Sequence, residues 1–310
     1  QCGALVKMLE DKTVKTVFLK GLLASSGPMF FSALSDRHAD TIMFVLQDAD
    51  EAGYFYHDLT QLMGTQQVLF YPSSYRRAVK YGQRDAGSEI LRTEVLSRLA
   101  QRGGNNGYDE KGNRKAGNEE ARSKAENAKS GNSKASKALY IVTCPEALSE
   151  LVVSKQRLDE RTLSLAVSQT VDIVETEKTL REFGFEQVDY VYEPGQFAVC
   201  GSILDVYSFS SELPFRIDFF GDEIDTIRTF NVEDQLSKDK KDAVEIVPEL
   251  AKMTEEKMPL TSFLPADTVV AVKDLAYVAD TIARIYDEGF AQQAVAERLE
   301  GATEEGQKEI

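Results

Sequence analysis

Apolar residues in the first third of the chain gather in short runs, and most runs are followed by a stretch in which apolar positions recur every three or four residues. The runs "TVFLKG" (16–21), "TIMFVLQD" (41–48), "QVLFYP" (67–72) and "ALYIVTC" (138–144) have the length of buried parallel strands. Between them, "PMFFSALSDRH" and "DEAGYFYHDLTQLMG" have helical spacing. This alternation predicts an α/β domain with a largely parallel sheet. From about Leu163 the pattern changes to short alternating runs broken at Pro194-Gly195, Ser210 to Pro214 and Gly221-Asp222, which predicts a helix followed by an antiparallel meander. In "FRIDFF", Phe215, Ile217 and Phe219 fall on one strand face and Arg216, Asp218 and Phe220 on the other. After the charged run "SKDKKD" (237–242) come one more apolar strand, "DTVVAVKD", and an amphipathic helix near "LAYVADTIARIYDEGF". The chain starts at Gln1 and its acidic tail closes no core, so it is expected to belong to something longer.

One segment interrupts the α/β pattern. Residues 101–137 contain no Val, Ile, Leu, Met or Phe, and carry nine basic against five acidic side chains. Such a segment buries too little apolar surface to offset its ordering entropy, and it reads as a disordered, solvated insertion. A basic arm of this kind is also a candidate nucleic-acid contact.

Composition narrows the function classes. At 310 residues and 42% hydrophobic, the chain can build two or three cores. Its net charge of −15 repels nucleic acid as a whole, and the parts expected to fold show no dense Lys/Arg and aromatic cluster. Cys2, Cys144 and Cys200 lie far apart, with no metal-ligand spacing, which fits a reducing cytoplasm. Neither His38 nor His57 has a partner in a recognisable motif, and no apolar run reaches the length of a membrane span.

The stretch "VFLKGLLASSGPMF" (17–30) has the strand, small-residue loop and helix start of a phosphate-binding loop. A working loop needs G-x-x-x-x-G-K-[ST]: glycines to turn backbone N–H groups toward phosphates, lysine for the β/γ charge, and a hydroxyl for Mg²⁺. Counting from Gly21, those last three positions hold Ser26, Gly27 and Pro28. Making Gly27 the second glycine puts Pro28 and Met29 in the lysine and hydroxyl positions, which is no better. The loop is expected to be degenerate.

The strings "DYVYEPGQFAVCGSILDVYSF" and "PFRIDFFGDEIDTIRTFNVEDQ" are long and specific. With them the chain resembles the N-terminal, UvrB-like module of the bacterial transcription-repair coupling factors, most strongly from Phe183 to Leu236. The resemblance implies a degenerate RecA-like domain at 1–152, a β-rich UvrA-binding domain at 153–243, and a second small α/β part at 244–310. The family's β-rich domain imitates UvrB to bind UvrA, and its arginine and phenylalanine in R-x-D-F-F fall on Arg216 and Phe220. A third family residue, an arginine before the glycine of "FAVxGSILDV", is replaced here by Cys200, and a thiol supplies no charge-assisted hydrogen bond. The family's motor, with its ATP and Mg²⁺, and its contacts to RNA polymerase and DNA, lie in other parts of the full protein, so no cofactor is expected for these residues.

The leading expectation is a non-catalytic, cytoplasmic adaptor that recruits UvrA and restrains the motor. A nucleotide-hydrolysing DNA helicase or translocase, and a nucleic-acid binder acting through 101–137, are the alternatives. The acids Asp218, Asp222, Glu223 and Asp225 are expected to be solvated hairpin residues rather than a metal site.

Overall fold

The computed structural model describes residues 2–11, 13–74, 86–103, 138–250 and 257–289. Its strands are, in chain order, β1 (Thr41–Val45), β2 (Val68–Tyr71), β3 (Leu139–Thr143), β4 (Leu151–Val153), β5 (Leu163–Ala166), β6 (Glu186–Gln187) and β7 (Gln196–Cys200). There follow β8 (Ile203–Val206), β9 (Phe215–Phe220), β10 (Glu223–Phe230), β11 (Ser237–Lys241), β12 (Ala243–Ile246), β13 (Lys257–Pro259) and β14 (Val269–Val272). The described residues divide into two compact units, one drawn from the stretches 1–88, 134–151 and 259–310 and the other from 89–133 and 152–258.

The first unit is α/β. Its sheet runs β14-β1-β3-β2, and every pairing in it is parallel. All five residues of β1 and of β3 are buried, as expected for strands covered on both faces. The helix Ser26–Ser35 buries Phe31 and Leu34, with the Phe31 ring edge-on to Phe44 of β1 at 4.7 Å and its carbonyl accepting from the Tyr140 hydroxyl at 2.8 Å. Asp48 caps the helix Ala49–Met63 by accepting from the Glu51 N–H.

One predicted strand is absent. Residues 16–21 form no strand, and Phe18 is 86% exposed. A strand preceding the helix Ser26–Ser35 in a βαβ unit would take a place beside β1, but β1 is already flanked by β14 and β3. The apolar run takes no place beside β1, and among the described residues it pairs with neither edge strand, β14 or β2.

The second unit is β-rich. Its six-stranded sheet runs β11-β10-β9-β8-β7-β6, antiparallel except for the short β6–β7 pair. One face carries Phe197, Leu204, Val206, Phe215, Ile217, Phe219 and Ile227 into a core closed by Leu180 of the helix Ile173–Glu182. Asp172 caps that helix, accepting from the N–H groups of Val174 and Glu175. The charged run 237–241, which carries no apolar signal, is the edge strand β11, and its lysines suit an edge that must not pair with other chains. The sequence reading begins a third part at residue 244. The structure instead pairs β12 with β5 and buries Val244 and Ile246 in the second unit's core, so this unit runs on past residue 250. Apart from its first three residues, which end the helix Ala86–Gly103, the basic insertion 101–137 lies outside the described residues, as does the acidic tail.

Candidate partner-binding surface

The face of the six-stranded sheet turned away from the core assembles the residues singled out in the sequence. Burial along β9 alternates strictly, with Phe215, Ile217 and Phe219 buried, Arg216 and Asp218 half-buried and Phe220 exposed. Cys200 pairs with Ile203, and Ile203 in turn with Asp218, so Cys200, Asp218, Arg216 and Phe220 share one face. Two strand spacings, about 10 Å, separate the Cys200 and Asp218 backbones. No bulge disturbs the β7–β8 ladder, because Gly201 takes a left-handed φ of +62° within a two-residue turn.

Phe220 stands at the end of β9, where Gly221, at φ +63°, opens the tight turn into β10. It is 85% exposed. The turn is braced from behind: Val171 donates to the Asp222 carbonyl at 2.7 Å, and Ile224 to the Gln169 carbonyl at 2.9 Å. A large apolar side chain is thereby held out into solvent on a fixed support.

Arg216 is placed quite differently. Its Nε and Nη2 donate to the two carboxylate oxygens of Asp205 at 2.8 and 2.7 Å. Nη1 donates to the Gln235 backbone carbonyl at 3.2 Å and Nη2 to the Gln235 side-chain oxygen at 3.3 Å. The guanidinium carbon also lies 4.5 Å from the centroid of the fully buried Phe230 ring. The Asp205 carboxylate raises the Arg216 pKa above its ordinary value. Beside this pair, Asp218 accepts from the Thr226 hydroxyl at 2.6 Å and from Arg228, whose strand position faces Arg216 across the ladder. The like charges of Arg216 and Arg228 are thus each matched by an acid.

Asp205, Gln235, Thr226 and Arg228 are not singled out by the sequence. For Asp205 a signal exists, a carboxylate inside the apolar run "SILDV" on the same side as Arg216; for Gln235 there is none. Asp222, Glu223 and Asp225 are exposed hairpin residues, and among the described residues no group of three or more His, Cys, Asp or Glu is placed to hold a metal ion.

The phosphate-loop candidate keeps a turn and a helix start. Gly21 has φ +92° and Ala24 φ +47°, while the Ser26 hydroxyl folds back to donate to the Leu23 carbonyl at 2.6 Å. Gly27 and Pro28 are buried, and a Cβ added at Gly27 would meet the Phe55 ring at 3.2 Å. Gly27 and Pro28 serve packing, Gly21, Ala24 and Ser26 are exposed, and none of these five residues is a cation for phosphate. Among the described residues no helix is long and apolar enough to cross a membrane.

Comparison with known proteins places this geometry. Residues 163–251 match the family described as the UvrB interaction domain, which brackets β5 to β12 and hence the whole face carrying Arg216 and Phe220. The chain is 25% identical to the transcription-repair-coupling factor of Bacillus subtilis over 264 residues, 84% of this chain and 20% of that protein. It is 32% identical over 123 residues to the factor of the same name from Haemophilus influenzae, 40% of this chain and 11% of that protein. The Escherichia coli factor is 43% identical over 65 residues, 21% of this chain and 6% of that protein. The chain therefore spans about a fifth or less of the length of these relatives. Residues 163–251 thus match the UvrB interaction domain, in a chain that is similar to a transcription-repair-coupling factor over 84% of its length.

Proposed function

We propose that this chain is a UvrB-mimicking adaptor that binds UvrA and brings it to DNA lesions at which RNA polymerase has stalled. One observation carries the reading: the match to the UvrB interaction domain spans a sheet face at whose end an aromatic side chain, Phe220, projects into solvent. Aromatic side chains are enriched at the cores of protein interfaces relative to the rest of the surface. Cys200 lies at the edge of that face.

The adaptor is non-catalytic in this reading. The phosphate loop has Ser26, Gly27 and Pro28 where glycine, lysine and a hydroxyl are needed, so ATP and Mg²⁺ serve only the motor of the longer protein. RNA polymerase and DNA are reached through other parts of that protein, in the cytoplasm, and this module restrains the motor until it engages. The helicase alternative asks the first unit for a phosphate-binding lysine that the loop does not have.

The test is competition. UvrB labelled with a fluorophore is bound to purified UvrA, and this chain is titrated in. Displacement of UvrB with rising concentration supports a shared UvrA surface. A chain that binds UvrA without displacing UvrB, or does not bind at all, refutes the mimicry.

A further inference from the structure

We infer that Asp205 and Gln235 are positioning residues of the partner-binding face, and that Arg216 shapes this face from within the domain's own network instead of pairing with a carboxylate of the partner. The inference rests on the reading that this face binds UvrA.

A guanidinium has five N–H donors. Here the fold engages them in four hydrogen bonds, two to Asp205 and two to Gln235, which leaves one N–H on Nη1. The Nε/Nη2 edge that grips a carboxylate side-on is closed by Asp205, and one face of the guanidinium plane lies over Phe230. The side chains of Arg216 and Asp205 are only 21% and 15% exposed. To pair with a partner's carboxylate through that edge, Arg216 would have to leave Asp205 as a largely buried, unmatched charge, an arrangement that strongly opposes itself.

Gln235 is built for this role. It sits at φ +58°, a left-handed conformation rare for a residue with a side chain. The Asn231–Leu236 loop holds it there, with the Gln235 N–H donating to the Asn231 carbonyl at 2.9 Å and the Asn231 N–H to the Leu236 carbonyl at 3.0 Å. The amide Nε2 donates to the Val232 carbonyl at 3.0 Å, which fixes the orientation that turns Oε1 toward Arg216. The neighbouring pair of Asp218 and Arg228 ties β9 to β10 as Asp205 and Arg216 tie β8 to β9. Phe220, two residues beyond Asp218, is thus presented by a sheet end that is ordered before the partner arrives. Such preorganisation lowers the ordering cost of binding.

The affinity for purified UvrA is measured for Asp205→Asn, Asp205→Glu, Gln235→Ala, Arg216→Ala and Phe220→Ala, each checked for a native circular dichroism spectrum. Asp205→Asn is expected to weaken binding about tenfold, as Arg216→Ala does, and Asp205→Glu, which keeps the carboxylate, to recover most of that loss. The double variant Asp205→Asn/Arg216→Ala is expected to bind no worse than either single one. Unchanged or tighter binding by Asp205→Asn, beside a weakened Arg216→Ala, overturns the inference, because it shows Arg216 acting directly on the partner. If Asp205→Asn does not fold, the salt dependence of binding decides: an equal slope for the parent and Arg216→Ala supports the internal role, and a shallower slope for Arg216→Ala overturns it. If Phe220→Ala also binds as the parent does, it is the assignment of the face to UvrA that has failed.

Discussion

Replacing Phe220 by alanine separates binding from folding, because the side chain is 85% exposed in the free domain. Its removal deletes almost no buried area there, so the change in folding stability should stay within about 0.5 kcal/mol. In a complex that buries the ring, the lost transfer free energy is about 1.5–3 kcal/mol, a roughly ten- to hundredfold weaker affinity. Phe219, the next residue, is the internal control. It points to the opposite face, is 6% exposed, and packs into the core of the second unit, so Phe219→Ala should cost about 3–5 kcal/mol of folding stability. Denaturant unfolding of both variants and titration of UvrA by isothermal calorimetry read the two quantities independently. An unchanged affinity in Phe220→Ala refutes the anchor. A loss of folding stability above about 2 kcal/mol in the same variant refutes the exposed placement on which the argument depends.

Three further outcomes follow from the geometry. Cys200→Arg restores a cation to the same face as Asp218, and should tighten UvrA binding by about 1.5–3 kcal/mol; an unchanged constant puts this position outside the contact. Asp172→Ala removes the cap of the helix Ile173–Glu182 and should lower stability by about 1 kcal/mol in denaturant unfolding, with UvrA affinity unaffected. Burial pushes the Cys144 thiol up to about 12, so above pH ~9 the unfolded chain releases a proton that the folded chain keeps, and stability falls as pH rises. Between pH 8 and 10 the parent should therefore lose about 1 kcal/mol more than Cys144→Ala, and equal losses would show that the thiol is not held neutral by the fold.

The elements legible in the sequence are those whose signal is local. The alternation in "FRIDFF" fixes which face each residue of β9 takes, and the fully apolar runs of β1 and β3 announce strands covered on both sides. The run at 16–21 has the same local signal and no strand: the places beside β1 are held by β14 and β3, and the run adds to neither edge of the sheet. β11 shows the converse: Ser237–Lys241 is wholly exposed and charged at every position but Ser237, yet it is a strand, because the edge of an antiparallel sheet needs backbone pairing and no apolar side chains. The extent of the second unit was hidden for a related reason. β12 joins β5, roughly 80 residues earlier, and a pairing at that range leaves no trace in either run alone.

The binding face carries the same division into its chemistry. Parity along β9 places Arg216 and Phe220 on one side, and at that level the two look like equal candidates for contact. What separates them is register. Arg216 meets Asp205 because β8 pairs with β9 so that those two residues stand directly opposite, and it meets Gln235 because a left-handed residue turns a loop carbonyl toward it. Phe220 pairs with Glu223 across a tight turn, beyond the last residue of β8 that pairs with β9, and among the described residues none covers its ring. A charged residue in mid-sheet is drawn into pairs by its neighbours, while an aromatic at the sheet's end is left to whatever arrives. The affinity of this face should accordingly come from the apolar anchor at its rim together with the two ion pairs that keep that rim in place, the first through buried area and the second through preorganisation.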